Sequence, residues 1–415
     1  MTQDQTDKTN REFDIIVWGA TGFTGALVCE YLLAQYGTGE SLRWAIAGRD
    51  AARLDDLKTS LGQNAASLTT IVADSFDDGA LRQMVVRCRT VITTVGPYAK
   101  YGSPLVAACV AAGTHYCDLA GEAQWIRSMI DKHHEAAVAS GAKIVTCCGF
   151  DSVPMDVGVW FLQKEAQQRF GEHCSSISMY VKASSGTVSG GTIASMLNII
   201  EESRNDRSIA RILVDPYSLN PANERAGPDG RDQQSTRYDK TAKVWTAPFV
   251  MAGINTKVVR RSHALQGYPY GKEFRYREAV MFADGLKGRI KATMLTVSLG
   301  IFMILASIGP TRKLLARFVL PKPGEGPSAQ QREQGFFNLR QFGKLPDGRM
   351  LRTRIRGDRD PGYGSTSKML SECAVCLAKD ELPAVGGVLT PAAAMGENIL
   401  RRLESNAGLS FDVLD

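Results

Sequence analysis

Asp14-Ile15-Ile16-Val17-Trp18-Gly19-Ala20-Thr21-Gly22-Phe23-Thr24-Gly25 is the stretch that decides the fold. Its first five residues are a short apolar run, as expected of a strand buried on both faces. Three glycines at GxxGxxG spacing follow. Thr24 to Gln35 then reads as a helix, with Gly37 as its C-cap. Glycines let the backbone turn tightly and approach a ligand. The first helical turn offers N–H groups and the positive end of the helix dipole. Strand, turn and helix together make a cradle for the pyrophosphate of a dinucleotide. The residues assigned to it are Gly19, Ala20, Thr21, Gly22, Phe23, Thr24 and Gly25. A glycine string alone is weak evidence; its place between a strand and a helix gives it weight.

The same alternation continues outward. Arg43–Ala47, Thr69–Ala73, Thr90–Val95, His115–Asp118 and Lys143–Thr146 read as further strands. Helices are expected at Ala51–Leu61, Asp77–Cys88, Pro104–Ala112 and Ala123–Ser140. Six strands separated by helices predict an α/β fold, a Rossmann-type doubly wound parallel sheet over residues 1–150. Ligands of such sheets lie beyond the carboxyl ends of the strands.

Four further motifs fall at those ends. Ala47-Gly48-Arg49 offers no carboxylate for a ribose 2′-OH and supplies Arg49 instead. A guanidinium suits a 2′-phosphate, so NADP (NADPH) is expected ahead of NAD. Asp50 is expected to begin the next helix. Thr93 to Tyr98 (TTVGPY) places Gly96 and Pro97 in a tight turn on the nicotinamide side, with Tyr98 lining the pocket or simply packed. Gly113 to Glu122 (GTHYCDLAGE) gathers His115, Tyr116, Asp118 and Glu122. Reduction of a polarised double bond needs a hydride and a proton. Tyr98, His115 and Tyr116 are therefore the catalytic candidates, although a lone histidine is more often structural. Asp118 and Glu122 read as anchors of the crevice. In Cys148 to Asp156 (CGFDSVPMD), Asp151 or Ser152 can cap a helix that has Pro154 in its first turn.

After Ser152 the pattern changes. Ile177, Met179 and Val181 alternate as on a half-buried strand, and Thr192–Glu202 looks helical. Pro216–Asp239 is polar and reads as a loop or lid. Thr256–Ser262 and Phe274–Phe282 look strand-like, and Pro321–Gln331 reads as a linker. Phe336–Lys344 and Arg349–Arg356 form an expected hairpin around Pro346-Asp347-Gly348. Ser365–Ala378 reads as a helix. An α+β domain with a mixed sheet is expected over 151–385. Arg352, Arg354 and Arg356 share one face of their strand, open either to solvent or to the phosphate of a carrier-bound substrate.

Composition narrows the class. The 415 residues carry a net charge of +6, from 49 basic and 43 acidic groups. That excess is too thin for a dedicated nucleic-acid binder. Nine scattered cysteines, with Cys147 and Cys148 adjacent, argue against a disulfide framework. The Cys373/Cys376 pair has no companion cluster, so no metal site is expected. Met1 to Arg11 has no apolar signal region, and a cytoplasmic location is expected. Ala292 to Thr311 contains no charge and is flanked by Lys287, Arg289 and Lys291 before and Arg312, Lys313 and Arg317 after. A buried helix, a helix docked on a membrane and a true span all remain open.

GATGFTG, AGRD, TTVGPY, GTHYCDLAGE and CGFDSVPMDVG occur in this order, followed by SGGTIAS, APFVMAG, YGKEFRYREA, RGDRDPGYGSTSKMLSE and GGVLTPAAAMGENIL. The ordered set resembles the saccharopine dehydrogenase-like oxidoreductases along nearly the whole chain. Within them it is most similar to the trans-acting enoyl reductases that serve polyketide synthases in phthiocerol and phenolphthiocerol lipid synthesis. The resemblance implies NAD(P) at Gly19, Gly22 and Gly25, and a Rossmann domain with an inserted mixed-sheet domain. It also implies a final segment, 386–415, returning to the first domain. The expected activity is NADPH-dependent reduction of a C=C bond in a lipid or acyl thioester, with a polyketide synthase as partner and peripheral membrane contact through 292–311 as an open reading. The alternatives are a saccharopine- or amino-acid-type dehydrogenase, and a lipid-associated NADP(H)-binding protein without turnover.

Overall fold

The apolar runs of the first 150 residues assemble as parallel strands, because the central ones are buried on both faces and need helices above and below them. A computed structural model describes residues 11–186, 190–318 and 326–414. It divides into two units. Unit 1 comprises residues 1–120, 128–149 and 366–407, and unit 2 comprises 121–127, 150–365 and 408–415.

Unit 1 holds strands β1 (Phe13–Trp18), β2 (Trp44–Gly48), β3 (Thr69–Val72), β4 (Cys88–Thr93), β5 (His115–Cys117) and β6 (Lys143–Val145). Its helices are α1 (Phe23–Tyr36), α2 (Ala51–Leu61), α3 (Asp78–Val85), α4 (Tyr98–Tyr101), α5 (Ser103–Ala112) and most of α6 (Ala123–Ser140). The sheet order is β13-β6-β5-β4-β1-β2-β3, all parallel, where β13 is Gly387–Leu389. The order reverses between β1 and β4, which makes the crevice beyond their carboxyl ends the binding place for this architecture. The chain returns to unit 1 earlier than the segment 386–415 implied: the return begins at Thr366. Glu372 secures it. Its fully buried carboxylate accepts from Tyr31 (2.7 Å) and Tyr36 (2.6 Å) of α1, and from Arg402 and Asn406, both at 3.2 Å.

Unit 2 contains α7 (Val153–Phe170), β7 (Ser176–Ser185), α8 (Gly190–Asn205), α9 (Arg207–Val214), β8 (Arg237–Asp239), β9 (Val244–Ala247), α10 (Ala252–Leu265) and β10 (Arg275–Phe282). Next come α11 (Leu286–Ser307), α12 (Gly309–Phe318), α13 (Ala329–Gln334), β11 (Phe336–Lys344) and β12 (Met350–Gly357). Of the later elements, α14 (Gly364–Lys379) and α15 (Pro391–Ser405) fall mostly or wholly in unit 1, while β14 (Leu409–Leu414) belongs to unit 2. The sheet order is β14-β12-β11-β7-β10-β9-β8. β7 and β10 pair in parallel and the other pairings are antiparallel, so the expected mixed sheet is present. The β11–β12 hairpin forms where the turn residues placed it. Its arginines lie outward. Arg354 and Arg356 reach Asp412 at 3.0 and 3.7 Å, and Arg352 lies over the Phe342 ring.

Three expectations change. Thr256–Ser262 is not a strand but the middle of α10. Its β-branched residues favour extended chain, yet its cations can find partners only from a helical face. Lys257 donates to the Asp215 carbonyl (2.8 Å), and Arg260 reaches Asp229 (2.8 Å) and the Pro216 and Tyr276 carbonyls. Arg127 adds bonds to the Ser218 and Asn220 carbonyls. Pro216–Asp239, read as a loop or lid, is a loop up to β8, pinned from beneath by these buried cations. The linker ends early, because Ser328 forms a capping box with Gln331 and starts α13; residues 319–325 lie outside the described residues, as do residues 1–10. Finally, the uncharged segment does not form one buried helix. α11 ends at Ser307, α12 begins at Gly309, and Ile290, Met294, Val297, Ile301, Ile304 and Ile308 are exposed. The side chains of Lys313 and Arg317 lie outside the described residues.

Candidate functional site

The site of unit 1 is built by backbone. Gly19 leaves β1 with φ +83°, a conformation that L side chains rarely adopt, and a Cβ there would stand 2.6 Å from Val95 Cγ2. A Cβ on Gly25 would stand 2.1 Å from the Gly19 carbonyl oxygen. Both glycines are forced by the protein itself. Gly22 differs. Its φ of −77° suits any residue, and an added Cβ would meet only the Gly19 oxygen at 3.3 Å. As N-cap of α1 it places no side chain over the helix terminus. That is the cradle a pyrophosphate needs, and the residues present fit one.

The loop after β4 closes the other side of the switch point. Thr94 N–H donates to the Trp18 carbonyl (3.1 Å) and its hydroxyl to the Gly19 carbonyl (3.1 Å). Gly96 and Pro97 follow, joined by a cis peptide, in the same loop. Arg49 stands exposed at the carboxyl end of β2, with no ion pair among the described residues. Asp50 is engaged elsewhere: its carboxylate caps α2 by accepting from Arg53 N–H. Arg53 was not singled out from sequence. Its guanidinium donates to the Thr21 carbonyl at 3.4 Å, which puts a second cation beside the glycine turn. Its spacing of four from Arg49 was the available signal.

The three catalytic candidates are not brought together. Tyr98 lies at the correct edge but is buried, its hydroxyl donating to the Thr93 carbonyl (3.3 Å) and accepting from Leu119 N–H (3.2 Å). It braces two loops. His115 opens β5 at the amino end of the sheet, in register with Thr90, and its Nδ1 accepts from Lys143 N–H at 3.1 Å. Tyr116 is fully buried and donates to Asp118 (2.8 Å). Direct proton donation by His115 or Tyr116 is thus corrected: the first lies at the wrong end of its strand, and the second is spent on a buried bond.

Asp118 is the structural centre of this edge, as its anchoring role predicted. Its Oδ1 accepts from Ala120 N–H (2.9 Å) and Cys147 N–H (3.1 Å), and its Oδ2 from Tyr116. One carboxyl therefore staples the loops after β5 and β6, including Cys147 at φ +63°. Burial pushes Asp118 up to about 7, against the lowering effect of its three donors. In unit 2, Glu122 accepts from Ser195 (2.7 Å). Ser152 occupies the N-cap of α7 but makes no capping bond; it donates to Asn255 instead. Burial raises the neighbouring Asp151 carboxyl to about 6.

A glycine cradle at the switch point of a seven-stranded parallel sheet, with arginine at the β2 tip, defines the class of dinucleotide-binding oxidoreductases. Residues 15–145 match the model of the saccharopine dehydrogenase NADP binding domain. A Mycobacterium tuberculosis protein named provisionally as a trans-acting enoyl reductase is 42% identical, the match covering 97% of this chain and 98% of that protein. A Mycobacterium leprae protein named trans-acting enoyl reductase is 38% identical, over 95% of this chain and 96% of that protein. The chain belongs to the saccharopine dehydrogenase-like oxidoreductases. The solved saccharopine dehydrogenase (L-Glu forming) of Saccharomyces cerevisiae shares the fold. Its TM-score is 0.54 at 11% identity, covering 97% of this chain and all of that one.

Proposed function

We propose that this chain is an NADPH-dependent enoyl reductase that acts in trans, on an α,β-unsaturated thioester carried by a polyketide synthase making phthiocerol- or phenolphthiocerol-type lipids. The observation that carries the reading is the identity of about two residues in five with named enoyl reductases through both units. In this reading Gly19 to Gly25 hold the pyrophosphate with main-chain amides. Arg49 meets the 2′-phosphate, and Gly96 and Pro97 bound the nicotinamide side. Residues 1–150 bind the cofactor and the 151–385 region receives the substrate. NADPH, when bound, supplies the hydride for the β-carbon. Tyr98 and Asp118 act as positioning residues, holding the loops after β4, β5 and β6 in place.

Loop composition favours an acyl substrate over a polycarboxylate. Residues 94–97, 118–122 and 146–152 contain no lysine or arginine, where an amino-acid dehydrogenase would need cations for its substrate's carboxylates. The test is to incubate the purified chain with NADPH and a long-chain enoyl thioester, following loss of reduced nicotinamide. Consumption is expected for the wild type and not for Gly22→Asp. Equal rates in the two would end the proposal.

A further inference from the structure

Beyond Lys291 the α11 helix carries no charge, and it is exposed over most of its circumference, Met303 and Leu305 included. Leu286, Ile290, Met294, Val297, Ile301, Ile304 and Ile308 recur at steps of four and three and are all exposed. At 100° per residue they fall within an arc of roughly 80°. Gly288, Ala292 and Ala306 lie on the opposite side and are buried. The packed side is tied to unit 2 along its length. Arg289 lies over the Trp245 ring at 5.4 Å, Thr296 bonds Thr236 at 2.9 Å, and Arg204 donates to the Ser307 carbonyl.

We propose that this bare stripe docks unit 2, lying in plane, on an anionic lipid surface. The helix has 22 residues, about 33 Å at 1.5 Å each, which is long enough to span a hydrocarbon core. A spanning helix, however, must leave its ends on opposite sides of the bilayer. Both ends of α11 are held by one unit, so the geometry allows insertion only from the side.

Charge selects the surface. Residues 286–318 contain six lysines and arginines and no acid. Lys287, Arg289 and Lys291 are exposed at the start of α11, with Lys287 and Lys291 next to the stripe. Arg312, beyond its end, reaches Glu201 at 3.6 Å. Asp284, two residues before α11, is the acidic group nearest it in the chain. A second copy of the helix is the poorer occupant. Both ends are basic, so pairing in either direction sets cation against cation. Anionic headgroups meet the exposed cations at the start of α11 while acyl chains take the aliphatic stripe.

The test is co-sedimentation of the full chain with vesicles of phosphatidylcholine alone or with added phosphatidylglycerol. Binding is expected to the anionic vesicles and to weaken with salt. Met294→Glu with Ile301→Glu should lower it about tenfold or more. Lys287→Ala with Lys291→Ala should lower it several-fold and reduce the preference for anionic lipid. Unchanged melting temperatures would show that both variants are folded. Absence of wild-type binding, equal binding to neutral vesicles, or full binding by the double glutamate variant would overturn the proposal. So would a dimer that the glutamates split without any effect on vesicles. None of these readouts needs cofactor or turnover, so this proposal and the reductase reading can fail separately.

Discussion

The two seven-stranded sheets of this chain handle polar chemistry in opposite ways. In unit 1 every residue of β1 and β2 is buried, so the strands offer no face to solvent. Polar work moves to the strand ends: a glycine turn, a helix terminus with no side chain over it, and the Asp118 carboxyl, which staples two loops through their N–H groups. In unit 2, β11 alternates between buried and more exposed residues, and its neighbouring helix carries charge into the interior. Lys257, Arg260 and Arg261 are all buried on α10, and burial lowers Lys257 to about 8. Glu278 accepts from Asn255 (3.0 Å) and Tyr276 (2.9 Å) in the same core. The cradle of one unit is shaped by what glycine leaves out, and the interior of the other by charged side chains brought in on a helix.

Substitutions can break this contrast. The largest effect is expected from Gly25→Val. Its Cβ would overlap a backbone oxygen that cannot move aside, so unit 1 should fail to fold, read as loss of the cooperative urea transition. Arg260→Met tests the other unit. It strands Asp229, only 10% exposed, without its partner at 2.8 Å, and should cost about 3–5 kcal/mol in denaturant unfolding. A smaller loss would mean that the buried charges of unit 2 are dispensable.

Gly22→Asp then separates binding from folding. It should leave the melting temperature of the free protein within a few degrees of wild type. NADPH affinity by calorimetry should fall on the order of 100-fold, about 3 kcal/mol, because a carboxylate is set at the helix terminus where the anionic pyrophosphate would lie. If it melts as badly as Gly25→Val, Gly22 is a packing glycine like the others. Arg49→Ala should raise the KM for NADPH roughly tenfold and leave that for NADH unchanged; an equal effect on both would remove the 2′-phosphate from the account.

The smallest effect concerns pH. The folded state holds the proton of Asp118 up to about 7, against an ordinary value of 3.8. Its contribution is thus complete at acid pH and is lost as pH rises between those values. Asp118→Asn keeps the acceptor for Ala120 and Cys147 while removing the titration. Compared with wild type, it should gain roughly 3 °C in melting temperature on going from pH 5 to pH 8. Parallel pH profiles would show that the carboxyl does not titrate in this range.

Much of unit 1 was legible because its signals are local. The run DIIVW, the glycine spacing and the C-capping Gly37 and Gly113 each report a backbone conformation that neighbours in sequence impose. The same local logic misled at Thr256–Ser262, where β-branched residues suggest a strand and distant carbonyls at 215–220 settle the matter as a helix. It also pointed to His115 and Tyr116 by residue type alone. Whether a side chain reaches the working edge depends on strand register, as Thr90↔His115 shows, and register is not written in the strand itself.

The order of apolar runs and glycines along this chain was enough by itself to establish a parallel α/β core with a dinucleotide cradle, because both follow from backbone geometry over a few residues. The tertiary structure alone decided which polar groups are free and which are spent: Arg49 open, Tyr98 and Tyr116 committed, Asp118 stapling, and the apolar side of α11 bare. Those outcomes depend on pairs of residues far apart in sequence, and only the folded chain brings them within a few ångströms.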